Sequence, residues 1–239
     1  MGPIESSIPT ILDKMRGGNY KPKSGVPIPI EEIYSCNFIS EDMYKAILLE
    51  WETSRKASRN KQAIDDMSME AARLNDRMKR CGVPSRFLNA IIDKTYEHDL
   101  ASGGWVYVCG PDSDAVLNKA CAILKGWVVA NDFGTARFEY VTAILSQMRD
   151  VHTEIESMRV YTTAGLLLVA GLGTEPPTDW ALSKLWELFA SRSNNGLPTI
   201  IATRDTPDEL VSHLGSRGAD LATGEIMQVL MSRSKVVQV

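Results

Sequence analysis

Histidine is scarce in this chain, with three in 239 residues, and the four cysteines at 36, 81, 109 and 121 form no C-x-x-C pair. A zinc site needs nitrogen and sulfur ligands at short, regular spacing, so this distribution argues against one. His98, His152 and His213 have no carboxylate or cysteine at ligand spacing and read as ordinary surface or boundary residues. Buried or free thiols in a reducing cytosol are the expectation for the cysteines. Excess positive charge is also lacking: 26 Lys and Arg against 30 Asp and Glu give a formal charge of −4 and a pI near 5.5. Global attraction to nucleic acid is excluded, and contact with DNA would need a local basic patch. No apolar run approaches the ~18 residues that a membrane span requires. With no signal peptide at the start, a soluble cytoplasmic protein without a membrane partner is expected. Ser113 has no G-x-S-x-G turn around it, and no catalytic constellation stands out.

What is present falls into three stretches. Residues 1–39 hold a short helical pattern around Ile8 to Arg16 and then a Gly- and Pro-rich linker over 17–30. Residues 40–80 open with Ser40-Glu41-Asp42, an N-cap with an acidic first turn, and Met43, Ile47, Leu48 and Trp51 follow at helical spacing. One helix running towards Arg80, with a possible break at Ser58, is predicted. Its alternating charges read as a solvated face; a partner-binding helix is the alternative that a family resemblance implies.

Residues 81–239 alternate strands and helices. Strands are predicted at Trp105–Cys109, Ala136–Val141, Gly165–Leu172, Pro198–Thr203 and Lys235–Val239. Helices are predicted at Ala115–Ala130, Ala143–Met158 and Thr178–Ser191, the last with Trp180, Leu182, Leu185, Trp186 and Phe189 facing inward. Trp105 and Trp127 also read as core rather than as base-stacking platforms. The near-continuous apolar run at 165–172 marks a central parallel strand covered on both faces. The fold class is α/β, a parallel sheet flanked by helices with a helical N-terminal extension. Its ligand crevice belongs at the strand C-termini, where Gly110, Gly171 and Arg204 converge.

Gly-Pro-Asp-Ser-Asp-Ala-Val-Leu, residues 110–117, stands between the first core strand and its helix, the place of a phosphate-binding loop. Such a loop, G-x-x-x-x-G-K-[ST], approaches phosphates through glycine backbone, neutralises them with lysine and holds Mg²⁺ with a hydroxyl. Gly110 fits, but Ala115, Val116 and Leu117 replace the second glycine, the lysine and the hydroxyl. Asp112 and Asp114, flanking Ser113, add negative charge where a polyphosphate would sit.

The stretch from Gly165 to Leu210, with Leu172-Gly173-Thr174-Glu175 after one strand and Ala202-Thr203-Arg204-Asp205 at the end of another, resembles DnaC/IstB-type AAA+ proteins, which are bacterial helicase loaders and transposition helpers. Cys81-Gly82-Val83-Pro84-Ser85-Arg86-Phe87 is similar to the segment that precedes the ATPase core in that family. The resemblance covers roughly residues 80–230 and implies an AAA+ P-loop NTPase-like domain over 81–239. It places Ala170 and Gly171 where the family has two metal-binding aspartates, and Arg204 where it has a phosphate-sensing asparagine. Glu175 is the one acidic residue kept nearby. Near the C-terminus Arg217 matches the first arginine of a family motif, while the second, which reaches a neighbouring subunit's nucleotide, falls on Leu221.

The resemblance therefore implies a degenerate nucleotide pocket made of Gly110, Asp112, Ser113, Asp114, Ala115, Val116, Leu117, Ala170, Gly171 and Arg204, with no cofactor. Two readings of Arg204 stay open: it pairs with Asp112 or Asp114, or it points to solvent. Lys119, one turn beyond Val116, is a surface lysine or a stand-in for the missing one. Two functions compete as well. One is a non-catalytic adaptor for a replicative helicase or a related AAA+ protein, with DNA in the same complex. The other is an active ATP- and Mg-dependent loader, or an IstB-like transposition ATPase, that uses Lys119 and Glu175 in displaced roles. A chain without nucleotide-mediated contacts is expected to be monomeric or bound to another protein.

Overall fold

A computed structural model describes residues 41–131, 134–149, 154–176, 178–215 and 220–239. The short N-terminal helix, the linker, His152 and Arg217 lie outside these residues, as does the burial of Leu221. Two compact units divide the chain, Met1–Ala71 and Ala72–Val239.

Helix α1, Glu41–Arg80, runs unbroken through Ser58. It contains neither Gly nor Pro, so no residue in it removes a hydrogen bond or loosens the backbone. Within the first unit its described side chains are exposed, including Leu49, Ile64, Met67 and Met69. Its last turns belong to the second unit, where Leu74 and Met78 join the core and Arg77 donates to the carbonyls of Val128 (2.6 Å) and Asn131 (2.8 Å). The helix ends on Gly82, at φ 89°, with Gly82 N–H to Lys79 O and Val83 N–H to Met78 O. That pair of bonds is a Schellman stop.

Five strands form one parallel sheet in the order β2-β3-β4-β1-β5: β1 Trp105–Cys109, β2 Ala136–Tyr140, β3 Leu166–Ala170, β4 Thr199–Thr203 and β5 Ser234–Gln238. The three central strands are buried along their whole length, whereas edge strands β2 and β5 are partly exposed. Burial on both faces explains why the central strands read as continuous apolar runs. Alternate residues feed two cores. Val106, Val108, Leu166, Leu168 and Ile200 pack beneath helix α3, Ser113–Ala130, with Phe138 and Met78. Trp105, Tyr107, Leu167, Val169 and Ile201 pack on the other side. That side is covered by α4, Val141–Met148; α5, Glu154–Thr163; α6, Asp179–Asn194; α7, Pro207–Leu214; and α8, Asp220–Arg233. A short helix α2, Glu97–Ala101, precedes β1.

Two expectations need correction, and one helix lies where none was predicted. The single helix predicted over Ala143–Met158 is two, α4 and α5; continuing the α4 stripe would carry Ile155 inward, but Ile155 is 83% exposed and a new apolar face begins with Met158 and Tyr161. Trp186 does not pack inward and is 42% exposed, because the inner face of α6 is Leu182, Leu185, Leu188 and Phe189. Helix α8 was not foreseen, although Ile226, Met227 and Leu230 are buried at helical spacing.

Candidate functional site

The strand C-termini carry the site. Between β1 and α3 the chain makes only a short turn: Pro111 leads to Asp112, and the helix begins at Ser113, ahead of Val116. Asp112 is the N-cap, its Oδ1 accepting the N–H of Asp114 at 2.9 Å and of Ala115 at 3.3 Å. Val116 N–H is already bonded to Asp112 O at 3.0 Å. First-turn amides are the groups that make a helix start an anion site, and here the chain's own carboxylate takes two of them. Val116 and Leu117 are 1% and 8% exposed and belong to the core beneath α3. Ser113 and Ala115 are exposed, and Asp114 lies 3.2 Å from Arg86 in an exposed ion pair. Gly110 has no room for a side chain, since a Cβ there would collide with Val239 O.

After β3, Ala170 is fully buried and pairs with Ala202 in the ladder. Gly171, at φ 74°, donates to Ala202 O and accepts from Thr174 N–H (3.0 Å) and Oγ1 (2.7 Å), which closes a tight turn. Neither residue brings a carboxylate. Glu175 comes next and is 2% exposed. Its Oε2 accepts the Gly173 N–H at 3.0 Å, and its Oε1 meets no donor among the described residues. Burial pushes its pKa up to about 7.

An open pocket of about 640 Å³ is lined by Gly110 and Pro111, by Leu172, Gly173 and Thr174, by Thr203–Thr206, by Glu209 and His213 of α7, and by Gln238. Of the residues predicted from the sequence, Gly110 and Arg204 line it together, while Gly171 and Asp112 to Leu117 do not. The ion pair predicted between Arg204 and Asp112 or Asp114 is not formed. Asp112 faces its own helix, Asp114 faces Arg86, and Arg204 is exposed with no ion pair among the described residues. Lys119 stands 2.7 Å from Asp93, away from the pocket lining.

Several lining residues escaped the sequence reading. His213 does have a carboxylate partner, its Nδ1 lying 3.1 Å from Asp205 Oδ2, a pairing that the spacing of eight residues across a strand-to-helix corner conceals. Tyr107 fixes that corner by donating to Asp205 O at 2.9 Å. Thr206 and Glu209 form a capping box with Pro207 at the first helical position, a signal the sequence displays plainly. His98, by contrast, is exposed as expected. Among the described residues no cluster of His, Cys, Asp and Glu could hold a metal ion, and no helix is long and apolar enough to cross a membrane.

No family model matches the chain, and no curated protein matches it. Solved structures do. The crystal structure of DnaI aligns over 65% of this chain and 93% of its own, with a TM-score of 0.56 and 17% identity. That of the DnaC helicase loader aligns over 65% of this chain and 99% of its own, with a TM-score of 0.52 and 18% identity. A DNA replication initiation factor aligns over 64% of this chain and 48% of its own, with a TM-score of 0.50 and 12% identity. The architecture is thus the fold shared with these structures, a parallel sheet flanked by helices.

Proposed function

We propose that this AAA+ frame, of the DnaC/IstB type, serves as a helicase-loader-like adaptor in DNA replication, acting through protein contacts without an ATPase cycle. The observation that carries this reading is the Asp112 cap. A carboxylate occupies the helix start where a phosphate would lie, and its charge repels a polyphosphate while its oxygen already holds two amides. Support also comes from Val116 and Leu117, whose side chains point into the core where a lysine and a hydroxyl would be required. Ala170 and Gly171 offer no oxygen to Mg²⁺. Lys119 is engaged by Asp93, which leaves the active-loader alternative without its cation.

The likeness in fold to DnaI and the DnaC helicase loader points to a replicative helicase or a related AAA+ protein as partner, with DNA in the same complex. The polar helix over residues 41–71 is the partner-binding region. Two measurements on the full chain test the reading. Calorimetric titration with ATP and Mg²⁺ is expected to give no binding tighter than about 1 mM, and micromolar binding would overturn the pseudo-ATPase assignment. Size-exclusion chromatography with a purified hexameric replicative helicase is expected to yield a complex without nucleotide. Separate elution would remove the helicase as partner.

A further inference from the structure

An ionised carboxylate taken out of water without a cation is strongly disfavoured, so a buried Glu with a vacant oxygen is held as the neutral acid or is ready to move. Glu175 is in that position. Among the described residues its Oε1 has no partner, and its one cross-residue hydrogen bond is from the Gly173 amide to Oε2. Two titratable groups face it from neighbouring elements. Asp205, on the loop after β4, disfavours its ionisation, while His213, on α7, favours it. They are bound to each other at 3.1 Å, so the histidine already has a carboxylate to serve. Burial outweighs both, and the carboxyl titrates near 7 rather than at its ordinary 4.5.

Two glycines shape the loop that carries Glu175 and seat it closely on its neighbour. Gly171 and Gly173 hold φ values of 74° and 93°, and they flank Leu172 at the exit of β3. Gly173 lies so close to the next loop that a Cβ would be 2.8 Å from Asp205 Oδ2 and 3.0 Å from Leu210 Cδ1. Leu172, Gly173 and Thr174 form one wall of the pocket, and Asp205 and His213 form part of another. A charge arising on Glu175 therefore acts where two pocket walls meet.

We propose that Glu175 is a proton-operated latch: its neutral carboxyl keeps the loop over residues 171–176 seated against Asp205, and its ionisation releases that loop and widens the pocket. The latch is independent of whether the pocket takes nucleotide. The sign follows from linkage. The closed state binds the proton more tightly than the open state, so closure is favoured fully below pH 4.5 and loses ground as pH rises towards 7. Above that pH both states are ionised and the effect levels off. Across the window the opening constant rises by about two orders of magnitude.

Amide hydrogen exchange of the full chain, read by mass spectrometry from pH 5 to 8 and corrected for intrinsic exchange rates, tests this directly. Protection of residues 171–176 is expected to fall by about fortyfold between pH 5 and 7 and to level off within a further factor of about two by pH 8. Glu175→Gln is expected to remove the pH dependence. A wild-type profile without that fall, or a Glu175→Gln profile that keeps it, would overturn the latch. Should the variant fail to fold, carbon-13 carboxyl titration of the wild-type chain decides the matter: a Glu carboxyl with a midpoint near 7 sustains the proposal, and its absence ends it.

Discussion

The carboxylate of Asp112 and the backbone amide of Asp114 meet at 2.9 Å, so the start of α3 binds its own chain. Removing that carboxylate exposes two amides without supplying a lysine, a glycine loop or a hydroxyl. Asp112→Ala is expected to lower stability by about 1 kcal/mol, the ordinary value of a lost N-cap. In urea the midpoint falls while the slope stays the same, because the surface exposed on unfolding is unchanged. ATP titration of the same variant is expected to remain blank. Binding gained by this substitution alone would show that the cap masks an otherwise competent site.

Gly82 has two reasons to be glycine. It stops α1 in the left-handed region at φ 89°, and a Cβ on it would stand 2.8 Å from the carbonyl oxygen of Phe138. That oxygen belongs to edge strand β2, whose Phe138 amide donates to Cys81 O at 2.7 Å. The clash cannot be relieved without moving the strand. Gly82→Ala should therefore cost about 1–3 kcal/mol, the sum of backbone strain and displaced packing. Thermal unfolding monitored by circular dichroism measures it, and a change within experimental error would mean that β2 shifts freely.

The strands were readable because burial on both faces leaves nothing to alternate, and Trp105–Cys109 appears in the fold with the predicted bounds. Helix α8 was not readable in the same way. Gly224 interrupts its middle and lowers its intrinsic helicity, although Thr223, Ile226, Met227 and Leu230 mark a buried stripe. The candidate site was half legible. Residue types at 110–117 and 170–171 could be compared with what phosphate and Mg²⁺ demand, but where a released carboxylate turns is a matter of geometry. Asp114 turned to Arg86 and Asp205 to His213, two pairings set by distances that spacing does not encode, whereas Asp112 caps its own helix through amides two and three residues on, a local pattern.

Arg204 provides a direct check on that correction. Exposed and without an ion pair among the described residues, it contributes little to the fold despite its place in the pocket lining. Arg204→Ala is expected to change stability by no more than about 0.5 kcal/mol. A loss well above that figure in chemical denaturation would mean that the guanidinium has a carboxylate partner in solution after all.

Arg192 should behave in the opposite way. It is fully buried, and its guanidinium joins four points of the fold: Nε donates to Thr199 Oγ1 at 2.9 Å, Nη1 to Tyr161 O at 2.7 Å and Ala164 O at 2.8 Å, and Nη2 to Pro198 O at 2.6 Å. These acceptors lie at the end of α5, just before β3, and at the approach to β4, so one side chain from α6 fixes the entrances of two central strands. No carboxylate is among them. Burial pulls the pKa down to about 10, which still leaves the cation intact at neutral pH. Truncation strands three buried carbonyls and a hydroxyl in a space too apolar to hydrate them well. Arg192→Ala is expected to cost about 3–5 kcal/mol, comparable to breaking a buried ion pair. Arg192→Lys should recover only part of it, because an ammonium cannot reproduce the planar fork that reaches all four acceptors. Equilibrium denaturation of both variants tests the argument, and a loss under about 1 kcal/mol for the alanine variant would mean that water enters and satisfies those carbonyls.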